Sequence, residues 1–456
     1  MARNPRTNAD TMAMNVNEKL AYGTGDFASN LFWQSISLFL MFFYTDVYGL
    51  SPAVAGSIIF VARVVEAVWD LFLGFAIDRT RSRWGRCRPY LLFAPPLLAL
   101  SAWATFSVPL LSPEGKTAYA YATYILLMLC YSLVNIPYSA MPALLSANPA
   151  ERTRLAEYRM FMAFSGGLLV AAATLPLVEW LGGGDRRAGY QNAALVMGVL
   201  SVALFWTCFA GTRERLAPLP QRPDLAGELA VILRSRTWWT LFAASLVQFA
   251  AFALPLGVAM YFLTYVVGHP EWASSYFVVG KVGLLLGVLV SSQLTRRYCK
   301  RDVVIWTTLL TVLALLALHA LDLGSRWQLN SWIFTVSLLG AIKIPVIWSM
   351  VADAADDMEL ASGRRVVGLA TSSVAFAQKF GVGLGAGLSG LILSHTGYQP
   401  GAAVSEPARQ GIVLMIGLLP ALLYAAMAGF YFLYPLDRER LGRLQAELQV
   451  RRAALA

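Results

Sequence analysis

Three charged residues share one stripe of an otherwise apolar stretch: Arg63, Glu66 and Asp70, within Val61-Ala-Arg-Val-Val-Glu-Ala-Val-Trp-Asp-Leu-Phe-Leu-Gly74. At about 100° per helical residue they fall within roughly 60° of one another. Two acids and one base leave one net negative charge where hydrocarbon is expected. Such a site suits a small cation. Carboxylate oxygens hold a hard ion such as Na⁺, and a carboxyl raised in pKa by burial carries H⁺. Glu66 and Asp70 are therefore the candidate cation ligands, and the metal ligands if the ion is Na⁺. The competing reading is an internal salt bridge that only locks helices, but a lock needs no second acid.

A second polar arc precedes it. Tyr22, Asp26, Ser29, Asn30, Trp33 and Ser37 occupy about 100° of one helix face. Hydrogen-bonding groups beside an aromatic face suit a small polar ligand, a sugar above all. Asp26, Asn30 and Trp33 are read as ligand-facing, Ser29 and Ser37 as glue between helices. Tyr131, Asn135 and Tyr138 recur at helical spacing, with Pro137 and Pro142 bending the rod and freeing carbonyls. Arg159 opens the next apolar stretch. Lys379 stands among Gly381, Gly383, Gly385, Gly387 and Gly390 on a helix suited to close packing or sliding. It can neutralise the acids of the stripe or donate to a substrate hydroxyl. Lys281 and Lys343 are weaker candidates for the same roles, since flexible stems near a span end can snorkel. Asp353, Asp356, Asp357 and Glu359, followed by Arg364 and Arg365, read either as a charge latch in a connection or as a solvated loop.

The elements that must carry these groups follow from composition. Of 456 residues, 57% are hydrophobic and 14% charged, and the mean hydropathy is +0.58. A soluble chain of this kind would expose far too much apolar surface. Stretches long enough to cross a bilayer run near 20–45, 53–77, 89–110, 118–147, 160–181, 190–211, 237–267, 273–294, 302–322, 328–352, 367–394 and 410–435. That makes an all-α membrane protein of twelve transmembrane helices. The polar tail before the first lacks the pattern of a cleaved signal peptide.

Of the 36 Lys and Arg residues, 27 fall in alternate connections beginning with the N-terminal tail and 5 in the others. By the positive-inside rule both termini are cytoplasmic, in the inner (plasma) membrane. The net charge of +10 then needs no nucleic acid. The basic turns at 78–89 and 295–302 lie at matching places in two halves and suggest a duplicated six-helix unit. The expected organisation is a bundle over 1–211, a middle loop over 212–236, a second bundle over 237–436 and a tail over 437–456. In the tail Leu441, Leu444 and Leu448 form one face of a short helix. Cys87, Cys130, Cys208 and Cys299 form no CxxC pair and support neither disulfides nor zinc. No phosphate loop, dinucleotide fingerprint or nucleophile elbow occurs, so no enzyme activity and no cofactor beyond a coupling ion is expected.

The sequence resembles the glycoside–pentoside–hexuronide:cation symporters of the major facilitator superfamily, the group containing melibiose permease. The likeness rests on Lys19-Leu-Ala-Tyr-Gly-Thr-Gly-Asp26, Tyr44-Thr-Asp-Val-Tyr-Gly-Leu-Ser51, the Arg63/Glu66/Asp70 stripe, Arg81-Ser-Arg-Trp-Gly-Arg-Cys-Arg-Pro89, Asn135-Ile-Pro-Tyr138, Val351-Ala-Asp353 and Lys379. It implies the major facilitator fold of two six-helix bundles, alternating access, and a cation site at Glu66 and Asp70. Asp26, Asn30, Trp33, Asn135, Tyr138, Arg159 and Lys379 are then the substrate-side residues, with Asp26, Asn30 and Tyr138 lining a cavity between the bundles. Asp353 and Glu359 with Arg364 and Arg365 are the gating residues. The chain departs from melibiose permease where that protein has a Lys–Asp pair, here Ser29 and Asn30, an acid, here Asn135, and a Trp, here Ser139, so the carboxylates that grip a galactoside are not carried over, except that Asp26 could substitute one turn away. The expected function is Na⁺- or H⁺-coupled symport of a sugar, glycoside or sugar acid; the alternative is a lipid or lysophospholipid carrier on the same scaffold. The expected partners are a small-molecule substrate, the coupling cation and the bilayer.

Overall fold

The computed structural model describes residues 14–146, 148–215, 225–363 and 366–455, and every regular element among them is a helix. Of the described residues, those within 1–50 and 64–221 pack as one compact unit and those within 51–63 and 222–456 as another.

In the first unit, α1 (Val16–Ser35) continues through π-helical turns at Ile36–Leu40 and Phe43–Val47. It is followed by α2 (Pro52–Arg79), which contributes its portion from Val64 onward, then α3 (Arg88–Thr105), α4 (Pro113–Ala140), α5 (Pro149–Gly182) and α6 (Arg186–Gly211). Side-chain oxygens cap several starts: Ser112 Oγ accepts the Gly115 N–H at 3.2 Å and Asp185 Oδ1 the Arg187 N–H at 2.9 Å. Such caps satisfy donors that have no partner within the helix. Helix α1 packs against α5 and α6, and α3 against α4 and α6.

The second unit holds α7 (Leu225–Arg234), α8 (Arg236–Tyr261) with a π-helical end at Phe262–Val267, α9 (Ala273–Arg297), α10 (Lys300–Leu316), α11 (Arg326–Ser362), α12 (Val367–His395), α13 (Glu406–Ile416), α14 (Leu418–Phe432) and α15 (Arg438–Leu455). The glycines around Lys379 do bring helices together. A Cβ on Gly385 would come within 2.7 Å of the Ala250 carbonyl oxygen on α8, and one on Gly381 would strike the Leu246 carbonyl. Only hydrogen fits there, so α8 and α12 pack backbone to backbone.

Among the described residues, nine helical stretches are long and apolar enough to cross a bilayer by length and composition. With α1, α2 and α3, and with α13 and α14 taken as one, the long helices correspond to the twelve spans read from the sequence. Three readings change. Helix α11 runs ten residues beyond the expected end at 352, so Asp353, Asp356, Asp357 and Glu359 lie on a helix and not in a connection. Gly363, with φ +73°, ends it; a positive φ suits glycine. Arg159 lies inside α5 rather than at its start. The middle connection contains α7, whose Ile232 is seated in a core cluster with Trp238, Met358 and Ala370. In the tail, α15 buries Leu444 and Leu448.

Candidate functional site

The first unit brings together residues that the chain keeps far apart. Arg159 on α5 reaches Asp26 on α1 with its Nε 2.6 Å from Oδ2 and an Nη 3.4 Å from Oδ1. The side chains are 26% and 14% exposed, so the pair is largely withdrawn from solvent yet open on one side. The same guanidinium lies 4.9 Å from the Tyr138 ring centre and 3.5 Å from the Ser139 hydroxyl. A planar cation held by a carboxylate and an aromatic face is a specific arrangement, since guanidinium both forks onto carboxylates and stacks.

The floor beneath that pair is rigid. Tyr22 and Tyr138 stack with ring centres 4.8 Å apart. Each hydroxyl donates to the other residue's carbonyl, Tyr22 to Tyr138 at 3.1 Å and Tyr138 to Tyr22 at 2.9 Å. Tyr138 is fully buried. It was expected to line a substrate cavity, but its hydroxyl is committed to joining α1 to α4, and it presents only a ring face to Arg159. Gly25 makes room for it: a Cβ there would run into the Tyr138 ring.

The remaining residues of the polar arc lie on the same flank of α1. Asn30 is half-buried; its amide donates to the Asp26 carbonyl at 2.9 Å, and its oxygen accepts from Gln34 at 3.4 Å. The Trp33 ring centre lies 6.2 Å from that of Tyr131 on α4. Asn135, also half-buried, accepts the Ser139 hydroxyl at 3.5 Å. Arg159 and Ser139 thus link Asp26 to Asn135 in one small network.

Glu66 is fully buried, and the Ser132 hydroxyl of α4 lies 3.4 Å from its Oε1. Asp70, one turn further along α2, is half-buried. Glu66, Asp70 and the Ser132 hydroxyl offer oxygen atoms, the donor type that a hard cation or a proton requires. Arg63 belongs to the segment of α2 that packs with the second unit, where its Cβ lies 3.1 Å from the place a Cβ on Gly383 would take.

In the second unit, Lys379 is half-buried on α12. Asp353 is buried and takes Lys300 Nζ of α10 at 2.6 Å. Glu359 is half-buried near the end of α11. Arg364 and Arg365 lie outside the described residues. Lys343 departs from expectation: it does not snorkel but is fully buried, with Nζ 3.3 Å from Thr311 Oγ1 and 4.1 Å from the Tyr424 ring centre.

Several polar contacts were not foreseen. Lys19 and Glu151 form a buried pair at 2.7 Å. Glu214 accepts the backbone N–H groups of Arg86, Cys87 and Arg88 at 2.7, 2.7 and 3.0 Å, closing the start of α3 with a carboxylate where the helix dipole favours one. Their partners lie too far away in the chain for any spacing rule to link them.

A family model described as MFS/sugar transport protein matches residues 21–438. The chain belongs to that family. Within it, the chain is one of the glycoside–pentoside–hexuronide:cation symporter group that the sequence resembles. It is 31% identical to the inner membrane symporter YicJ of Escherichia coli strain K12 over 416 residues, 91% of this chain and 90% of that protein. It is 34% identical to the isoprimeverose transporter of Lactiplantibacillus pentosus over 436 residues, 92% of this chain and 89% of that protein. Its fold matches a crystal structure of a point variant of the nucleoside transporter NupG at a TM-score of 0.68 and 14% identity, covering 91% of this chain and 99% of that one. The family member described here is therefore a multi-pass helical membrane protein of the major facilitator fold.

Proposed function

We propose that this protein is a cation-coupled symporter that carries a sugar, glycoside or sugar acid into the cell by alternating access. It resides in the inner membrane with both termini cytoplasmic. The observation that carries the reading is Glu66: a fully buried carboxylate in a membrane-spanning helix, one turn from a second acid. Two such acids in a low-dielectric setting repel unless a cation, a proton or a basic partner joins them, and Arg63 on the same stripe can balance only one, so the second calls for a mobile cation or proton. That is a charge that comes and goes, as coupling requires. Family membership and the names of relatives support the sugar class, and none of those described above is named for a lipid.

In this reading Glu66 and Asp70 bind Na⁺ or H⁺. Asp26 and Arg159 bind substrate hydroxyls or a substrate carboxylate, Asn30 and Asn135 add amide donors and acceptors, and Trp33 offers a stacking face. Lys379 contributes from α12, and Tyr138 acts as the platform under Arg159 rather than as a ligand. Asp353 and Glu359 take part in gating, with Lys300 as the partner of Asp353. Binding of the ion favours the state that completes the substrate site, which is coupling by differential affinity. The deciding experiment is uptake by reconstituted vesicles against a panel of glycosides, pentoses, hexuronides and lysophospholipids, with Na⁺ or pH gradients imposed separately. Gradient-driven accumulation of a carbohydrate supports the reading. Uptake confined to lysophospholipid, or indifferent to both gradients, rejects it.

A further inference from the structure

At one end of the second unit a cavity of about 700 Å³ opens among α7, the start of α8, the end of α11 and α15. Its charged lining is Arg234 from α7, Arg236 from α8, Arg440 from α15 and Asp357 from α11. The balance is three cations to one anion, and Asp357 Oδ2 accepts the Thr237 hydroxyl at 2.6 Å. Among the described residues, neither Arg234 nor Arg236 is ion-paired. The first turn of α8 adds to the positive character. Ser235 caps it by accepting the Trp238 N–H at 3.2 Å, and the N–H groups ahead of Trp238 stand at the positive end of the helix dipole.

The geometry of α7 indicates which side such a ligand enters from. Leu229 and Leu233 are each 48% exposed and lie one turn apart. Beside them the half-exposed Trp239 donates its indole N–H to the Leu233 carbonyl at 2.9 Å. Exposed leucines on a short helix beside a tryptophan at the start of a spanning helix mark the flank that the bilayer covers. Ala230 and Arg234, which face the cavity, lie about 100° around the helix from those leucines. The flank that lines the cavity and the flank that meets lipid are thus distinct, so the occupant comes from water.

Guanidinium groups from three elements recognise a phosphate, whose oxygens match their forked donors. A carboxylate recognises hydroxyls. A volume of about 700 Å³ lies within the range of small-molecule sites. We propose that this cavity binds a soluble sugar phosphate, its phosphate held by Arg234, Arg236 and Arg440 and its ring hydroxyls by Asp357. Occupancy would tie α7, α8, α11 and α15 together, giving a phosphorylated carbohydrate a means of acting on this unit at a place separate from Asp26 and Arg159. The inference does not depend on what the protein transports.

The test is calorimetric titration of the purified full-length chain with glucose 6-phosphate at low salt, beside glucose and inorganic phosphate. Glucose 6-phosphate should bind saturably, glucose should not, and inorganic phosphate should bind at least ~10-fold more weakly. The Arg234→Gln/Arg440→Gln variant should weaken both phosphate-bearing ligands by ~10-fold or more. Asp357→Asn should weaken glucose 6-phosphate alone; its retained phosphate binding shows that the site still folds. Equal affinity for phosphate and glucose 6-phosphate would reduce the cavity to an unspecific anion patch. Displacement of glucose 6-phosphate by phosphatidylglycerol in nanodiscs would make it a lipid headgroup site. Either result overturns the proposal, as does absence of binding or unchanged binding in the arginine variant.

Discussion

Replacing Asp26 by Asn leaves the Arg159 guanidinium with a ring face at 4.9 Å and one hydroxyl at 3.5 Å in place of its carboxylate. With charge centres roughly 4 Å apart and an effective dielectric of about 20, the bare attraction lost is ~4 kcal/mol. Desolvation of the two groups, 26% and 14% exposed, offsets part of this, so the net loss of stability should be ~2–3 kcal/mol. Arg159→Gln should cost a similar amount, and the double variant much less than the sum, giving a coupling of ~1.5–2.5 kcal/mol. The functional part is separate. If the pair also holds substrate, each single variant should weaken substrate binding by ~10–100-fold, because a charge-assisted hydrogen bond is lost. Thermal unfolding in detergent reads the first quantity, and substrate protection of tryptophan fluorescence or uptake KM reads the second. A stability loss of the expected size with unchanged substrate affinity would make the pair a helix lock. Additive single effects would refute the coupling altogether.

Three further outcomes are expected. Asp70→Asn should abolish gradient-driven accumulation while leaving substrate binding within ~10-fold of wild type, and Glu66→Gln should alter the ion dependence of uptake; wild-type accumulation by Asp70→Asn would disprove the cation role. Gly25→Ala should lower stability by ~1–3 kcal/mol because the added methyl meets the stacked Tyr138 ring, and a wild-type melting temperature would show that the ring gives way freely. Asp353→Lys should lower both stability, by ~1–3 kcal/mol, and transport rate, and the swap Lys300→Asp/Asp353→Lys should recover at least half of each; failure of the swap to recover either would assign Asp353 a role beyond its pairing.

What the sequence made legible was local. The Arg63/Glu66/Asp70 stripe and the Asp26/Asn30/Trp33 arc follow from helical periodicity alone, and the periodicity holds in α2 and α1. The partner of Asp26 was not legible, because Arg159 lies 133 residues away and only the packing of α5 on α1 joins them. Hydropathy also misplaced the end of α11. Four acids over 353–359 lower the apolar score, yet a helix leaving a bilayer needs no apolar residues to continue, only a stop, which Gly363 supplies. Lys343 stays inside for a geometric reason: it sits mid-way along a 37-residue helix, where Thr311 and the Tyr424 ring receive its amine. Tyr138 was legible as important but not as structural, since the carbonyl that takes its hydroxyl belongs to a residue 116 positions earlier.

Each half of the chain begins its bundle with a long helix that finishes in π winding, at Ile36–Leu40 and Phe43–Val47 after α1 and at Phe262–Val267 after α8. A π turn stores one residue more than an α turn. Releasing that residue would screw the preceding rod through about 100° without lengthening any loop. In α1 the rod so turned bears Asp26, Asn30 and Trp33. The direction in which the polar arc faces thus depends on how the far end of its helix is wound.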